Sequence, residues 1–269
     1  ILASAMQRCR VAMDIPEQYE IVFMHGGGHG QFAAVPLNLC PNGYEKVTYL
    51  VNGTWSKRAV SEAAKYCRPI VVSSENPDGS FTQNASKNLG HPGVTLCVIR
   101  KDLLGAPSPK CPGVLCYTTN IRGGNLWNTI ATFNVEVINI YMQWLIAQGG
   151  VHEMQRRSIA KSAMLYDVID NSGGFYTTPI ADPLIRSRMN VPFDVAGGDE
   201  EITREFLIQS WERGIVGLRT LTPFGVGKYL RASLYNGVSL PQTQVLADFM
   251  AEFLKAARDT PIGRAHMRE

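Results

Sequence analysis

The sequence predicts an α/β protein, with a large domain on a mainly parallel sheet and a smaller α+β domain behind it. Three observations carry this reading. Short apolar runs alternate with helical stretches over the first hundred residues. Two of those runs, 47–51 and 69–73, flank a helical stretch from Trp55 to Tyr66, the strand–helix–strand spacing of a parallel crossover. The pattern then changes at a long apolar helix from Phe133, which places the boundary between domains 1–133 and 134–269.

The elements follow in order. Glu20 to Met24 is an apolar run stopped by glycines, hence a strand entering a loop, and a helix is expected from Gln31 to Leu39. Val94 to Ile99 reads as a further buried strand. Phe133 to Ala147 reads as a buried helix, stopped by Gly149 and Gly150, and a second helix is expected over 151–169. Arg188 to Phe193 alternates as a strand does. Asp199 is placed to cap a helix carrying Ile202, Phe206, Leu207 and Trp211 on one face. Strands at 215–218 and 230–235 follow, and Ser239 with Pro241 opens a last helix.

Composition bounds the function. The chain of 269 residues is 45% apolar and 18% charged, long enough for a core of its own and unlike collagen-like, disordered or disulfide-scaffold sequences. Its 26 basic and 23 acidic residues are interspersed, so no charge run points to nucleic acid or a lipid surface. No stretch approaches the roughly 18 apolar residues of a membrane span. Six scattered cysteines fit a reducing, cytoplasmic setting, and the Cys111 to Cys116 spacing matches no zinc pattern. The chain starts at Ile1 in mid-pattern, as a sequence does when its beginning is missing.

Five places carry possible chemistry. His25-Gly-Gly-Gly-His-Gly-Gln-Phe32 sits between a strand and a helix, where outward N–H groups and the helix start suit a phosphate; a plain turn is the alternative. It is neither GxGxxG nor Walker A, and its glycines argue against a helical His25/His29 metal pair. Lys87, after Ser86, stands ahead of a buried strand, where desolvation makes an amine nucleophilic; a surface lysine is the alternative. Trp55 begins a helix and offers either a stacking face or a packing ring. Asn128 and Thr129 are placed to open the long helix as caps or phosphate ligands. Arg231, in an apolar strand, needs a carboxylate, from a ligand or from a salt bridge.

The order of these stretches is that of a known family. The run HGGGHGQFAAVPLNL, YLVNGTWSKRAVSEAAKY, SKNLGHPGVTLCVIRKDLLG, LWNTIATF, RSRMNVPF, LRASLYN resembles the phosphoserine aminotransferases over about Ile15 to Leu254. The resemblance implies a PLP-dependent transferase with the aspartate aminotransferase-like fold, a homodimer with sites at its interface. It implies pyridoxal 5′-phosphate as cofactor, and L-glutamate and 3-phosphohydroxypyruvate, or O-phosphoserine, as substrates. Lys87 then matches the Schiff-base lysine that also moves the substrate proton. Gly28 and His29 match the cofactor-phosphate cradle, with His29 also near substrate phosphate, and Trp55 the ring stacked on the pyridine. Ser86 stands beside the lysine where the family has Gln. Asn128 and Thr129 match a pair reaching the neighbouring subunit's cofactor phosphate, and Arg231 the substrate-carboxylate clamp.

The departures are specific. His29 stands where arginine is common, Ile130-Ala131 replaces a Pro-Pro pair, and the His-Arg pair expected before Arg231 is absent, leaving Lys228 as a charge nearby. An amino-terminal Ser-His-Arg stretch has no counterpart. Between Ser73 and Lys87 the family carries more strands and the aspartate that pairs with the pyridinium nitrogen, whereas this chain has only Glu75 and Asp78 as acids there. Exposed sheet edges are expected as a consequence. A truncated homologue with the fold but no catalysis is the alternative function, and a nucleotide on the glycine loop is the non-homologous one.

Overall fold

A computed structural model gives the fold and describes residues 1–51, 53–73, 92–222 and 225–258. They form two compact units, residues 1–73 with 92–151, and residues 152–258.

The first unit runs α1 (Leu2–Ala12), β1 (Tyr19–Met24), α2 (Gly27–Leu39), β2 (Lys46–Val51), α3 (Thr54–Ala63), β3 (Arg68–Ser73), β4 (Thr95–Arg100), α4 (Tyr117–Arg122) and α5 (Thr132–Ala147). The expected crossover unit is β2–α3–β3, with β2 and β3 parallel from Lys46 opposite Arg68 to Val51 opposite Ser73. β1 and β4 instead pair antiparallel, Tyr19 opposite Arg100 and Met24 opposite Thr95. Among the described residues these remain two separate two-stranded sheets. Ile70, Val71 and Val72 on β3 are 46%, 52% and 48% exposed in succession, and no further strand is described beside β2 or β3 among these residues. Such an uninterrupted apolar run belongs to a strand covered on both faces.

β1 is the buried strand of this unit, its Ile21, Val22, Phe23 and Met24 all closed to solvent. α1, which composition did not single out, lies against α5. It buries Ala5, Cys9 and Ala12, and Asn139 of α5 accepts hydrogen bonds from Ser4 Oγ (3.2 Å) and Arg8 Nη1 (2.9 Å). α5 is not the wholly buried helix the sequence implied. It buries the stripe Val135, Ile138, Asn139, Met142 and Leu145, while Phe133 and Ile140 stay exposed. A helix apolar on all sides needs cover all round, and α1 covers one side of it.

The second unit contains α6 (Gly150–Asp170), β5 (Tyr176–Thr177), β6 (Asn190–Val195), α7 (Glu200–Glu212), β7 (Arg219–Thr222), β8 (Gly225–Ser233) and α8 (Leu240–Arg258). Its sheet is antiparallel in the order β5–β6–β8–β7, the expected α+β pattern. The predicted strand at 215–218 is not formed. Gly214 and Gly217 adopt φ +74° and +81°, which turns the chain out of the extended state until Arg219. The strand read at 230–235 is longer at its start and ends at Ser233.

Aromatic packing forms this core. Phe206 of α7 meets Tyr176, Phe193, Phe249 and Phe253, with centroids 6.1, 5.9, 4.9 and 5.1 Å away. Asp199 caps α7 as expected, its Oδ1 accepting from the N–H groups of Glu201 (3.0 Å) and Ile202 (2.9 Å). Trp211, assigned to the inner face of α7 from spacing, is exposed instead. Lys161 of α6 is buried, and its ammonium donates to the carbonyls of Leu234 (3.1 Å), Tyr235 (2.8 Å) and Val238 (2.8 Å). Burial, then the charge of Arg157, pushes its pKa down. It pins the turn that follows β8, the strand that carries Arg231.

Replacing Phe206 with Ala removes the hub of five rings and is expected to cost about 3–5 kcal/mol. Asp199→Ala removes one cap and is expected to cost about 1 kcal/mol. Urea unfolding of both variants checks the ranking, and an equal cost for the two would contradict this account of the core.

Candidate cofactor site

β1 delivers the chain to His25, and the helix starts sooner than composition predicts. Gly26, at φ +89°, is the N-cap, and the Gly30 N–H donates to the Gly26 carbonyl at 2.9 Å, so α2 begins at Gly27 rather than Gln31. His29 therefore lies inside the helix and His25 outside it. Gly26 has no side chain with which to cap this end, and none of the described residues caps it. The N–H groups of Gly27, Gly28 and His29 are thus left by helix geometry without internal acceptors, at the positive end of the helix dipole.

The glycines have separate reasons. A Cβ on Gly26 would lie 3.1 Å from the Gly30 Cα, and one on Gly30 would lie 3.2 Å from the His25 carbonyl oxygen. The loop is folded closely on itself at those two points. At Gly28 nothing lies within 4 Å of a Cβ position, so the first turn is open on that side. The helix start is braced from behind: Tyr117 Oη donates to Gln31 Oε1 at 2.8 Å, and Gln31 Nε2 donates to Met24 Sδ at 3.7 Å.

Trp55, in the first turn of α3, comes to this loop. Its ring centroid is 5.4 Å from that of His29, at 77° between planes. The indole is 59% exposed, with the Arg58 guanidinium 5.0 Å from its centroid. Asn128 and Thr129 also arrive here, though not as the helix caps expected. α5 begins at Thr132 with Ala131 as N-cap, because the Thr132 N–H turns back to the Ile130 carbonyl at 2.8 Å. The pair lies in the irregular segment before the helix, where His25 Nε2–H donates to the Thr129 carbonyl at 3.0 Å.

Arg231 lies in the second unit, on β8 opposite Pro192 of β6. Its N–H donates to the Leu218 carbonyl at 2.7 Å, and its side chain leaves the sheet on the face away from buried Leu230, Ala232 and Leu234. Its Nε is buried with no hydrogen-bond partner among the described residues, the state of a guanidinium shaped for an added acceptor. Ser86 and Lys87 lie outside the described residues, as do Glu75 and Asp78, and so does the side chain of Lys228.

The donor set fits a phosphorylated, flat-ringed group: an uncapped helix start, a first turn open at Gly28 and an exposed indole beside it. No group of three His, Cys, Asp or Glu side chains gathers among the described residues. Cys116 caps α4 instead, its Sγ accepting from the Thr119 N–H at 3.4 Å. Burial pushes the Cys9 thiol up to about 11 and Cys97 up to about 12, so neither is a nucleophile at neutral pH. No carboxylate described in the first unit is buried. Glu62 is held by Lys65 and Asp102 by Arg100, so a buried acid for a ring nitrogen is not among these residues. Sequence reasoning placed His25 and Gln31 in the glycine-loop motif but gave neither a role of its own, and nothing local marked Arg58.

Comparison with known proteins fits this site. No family model matches the chain. Among solved structures, phosphoserine aminotransferase from Bacillus circulans subsp. alkalophilus is 27% identical, with a TM-score of 0.82 over 94% of this chain and 86% of that one. The fold is shared by a PLP-bound phosphoserine aminotransferase from Trichomonas vaginalis, with a TM-score of 0.80, 24% identity, and coverage of 93% of this chain and 87% of that one. The chain has the aspartate aminotransferase-like architecture of the fold-type I, PLP-dependent aminotransferases. Its similarity to curated proteins is narrower. A probable phosphoserine aminotransferase of Caenorhabditis elegans is 33% identical over 319 residues, covering 95% of this chain and 85% of the relative. The Bacillus anthracis phosphoserine aminotransferase is 31% identical, covering 94% and 85%. The chain belongs to the phosphoserine aminotransferase family. The match with the worm protein is 50 positions longer than this chain, so at least 50 residues of that relative stand opposite none here.

Gly28→Ala separates fold from site. The methyl meets nothing and favours the helix, so the thermal midpoint is expected to rise by about 2–4 °C. It also stands on the open side of the turn that carries the free N–H groups, so pyridoxal phosphate binding is expected to weaken. Calorimetry with and without the cofactor checks both, and unchanged affinity would remove this helix start from the site.

Proposed function

We propose that this chain, as a homodimer in a reducing, cytoplasmic setting, moves an amino group between L-glutamate and 3-phosphohydroxypyruvate. The products are 2-oxoglutarate and O-phospho-L-serine, on the route to L-serine. The observation that carries this reading is the uncapped start of α2 with Trp55 beside it, in a chain of this family.

The residues divide the work by chemistry. The N–H groups at Gly28 and His29 would hold the cofactor phosphate, and the exposed Trp55 indole would offer its face to the ring. Ser86 offers a hydroxyl next to Lys87. With the cofactor in place, the Lys87 amine would hold it and would act as acid and base for the proton at the substrate Cα. Pyridoxal phosphate, when bound, supplies the electron sink for charge at Cα. Arg231 closes its planar fork on the substrate carboxylate, and its unpaired Nε supports this role. His29, exposed beside the seat, meets the substrate phosphate. Asn128 and Thr129 reach the cofactor phosphate of the partner. The exposed Leu126 (64%), Trp127 (54%) and Phe133 (75%) around that pair support a dimer interface there, since apolar groups so concentrated call for cover.

A second reading has its own observation. At least 50 residues of the worm relative have no counterpart here, and no buried acid is described in the cofactor unit. This favours a homologue that keeps the fold without the chemistry. Borohydride reduction of the protein with pyridoxal phosphate, followed by peptide mass spectrometry, separates the two. An adduct on Lys87, with loss of the cofactor's visible absorbance when L-glutamate is added first, is expected for the enzyme. Absence of an adduct on Lys87 would leave the second reading. In an active enzyme Arg231→Gln is expected to raise KM for L-glutamate about tenfold or more, with a smaller change in kcat. Steady-state kinetics check it, and an unchanged KM would take Arg231 out of the carboxylate site.

A further inference from the structure

His25 makes a contact that the cofactor reading leaves unused. It follows Met24 at the end of β1 and precedes Gly26, the N-cap of the phosphate seat. Its imidazole reaches across 104 positions of sequence to the Thr129 carbonyl. The segment it holds is fastened at two further points. The buried Asn125, at φ +62°, donates from Nδ2 to the Ile21 carbonyl on β1 at 3.3 Å. Trp127 lays its indole on Gly113, where a Cβ would come within 2.9 Å of Nε1. Residues 125–129 therefore form a braced arm, and of these three ties His25 is the one that comes from the seat loop.

An anion on the N–H groups of Gly27, Gly28 and His29 would further restrain the loop that carries His25 and, through the His25 bond, the carbonyl of Thr129. When one ligand orders a segment that a second site also needs, the second ligand meets a smaller ordering cost, which is positive cooperativity.

We propose that His25 is a positioning residue that couples the phosphate seat of one protomer to the arm completing the seat of its partner, so that the two sites load with cofactor cooperatively. This rests on the dimeric aminotransferase reading above.

The test is the loading curve of the cofactor-free dimer with pyridoxal phosphate, followed by absorbance, for the wild type, His25→Ala and His25→Gln. The wild type is expected to load with a Hill coefficient above 1. His25→Ala is expected to load without cooperativity and with half-saturation about three- to tenfold higher, the loss of one neutral hydrogen bond. His25→Gln keeps a donor and is expected to recover part of both. Hydrogen exchange with inorganic phosphate as the probe should protect residues 125–131 in the wild type but not in His25→Ala. Non-cooperative loading of the wild type, or cooperative loading that survives in His25→Ala, overturns the proposal. Light scattering and borohydride trapping on the same samples separate the failures. A monomer, or no adduct on Lys87, sinks the functional reading and the coupling with it. A loaded dimer indifferent to His25 sinks the coupling alone.

Discussion

The burial of β1 is the constraint on which the first unit depends. Its last four residues are closed to water, so the chain must leave the strand at a fixed point and in a fixed direction. That exit sets His25 and the left-handed Gly26, and with them the start of α2. The same strand anchors what arrives from far along the chain. Ile21 offers a carbonyl to Asn125, and Met24 a sulfur to Gln31. A rigid buried strand ending in a tight glycine turn at a helix start is how a fold presents backbone N–H groups to an anion without enclosing it.

The second unit uses a different device. Its core is a cluster of rings around Phe206, and its polar anchor is the Lys161 ammonium held by three carbonyls. No carboxylate appears among its hydrogen-bond partners, so oriented backbone dipoles stabilise the charge and the turn after β8 becomes stiff in return. Arg231 lies a few residues ahead of that turn. Holding the strand at both its neighbours and its end keeps the guanidinium aimed on the face opposite the core.

The sheet of the first unit carries the mark of the shorter chain. Among the described residues, β2 and β3 pair in parallel with apolar residues on both faces of β3 open to solvent, and β4 pairs only with β1. A parallel strand written as a continuous apolar run is made for the interior of a larger sheet. At least 50 residues present in the worm relative are missing from the match. The sequence itself shows only thirteen residues between Ser73 and Lys87. Open edges of this kind favour association of strands between chains.

Much was legible from local pattern. The β2–α3–β3 crossover, the cap at Asp199, the long helices and the order of the glycine loop, Trp55 and Arg231 all follow from short-range periodicity and turn chemistry. Those rules act within one or two turns of chain, so the sequence by itself determined the element types, the family and the residue types suited to phosphate, ring and carboxylate. It misplaced the start of α2, the strand before β7 and the inner face of α7, where single φ values or distant packing decide. Only the tertiary structure decided that His29 meets Trp55, that His25 holds Thr129 and that α5 keeps an exposed apolar side. Those contacts join residues tens to more than a hundred positions apart, and no local propensity encodes which distant surface a side chain will meet.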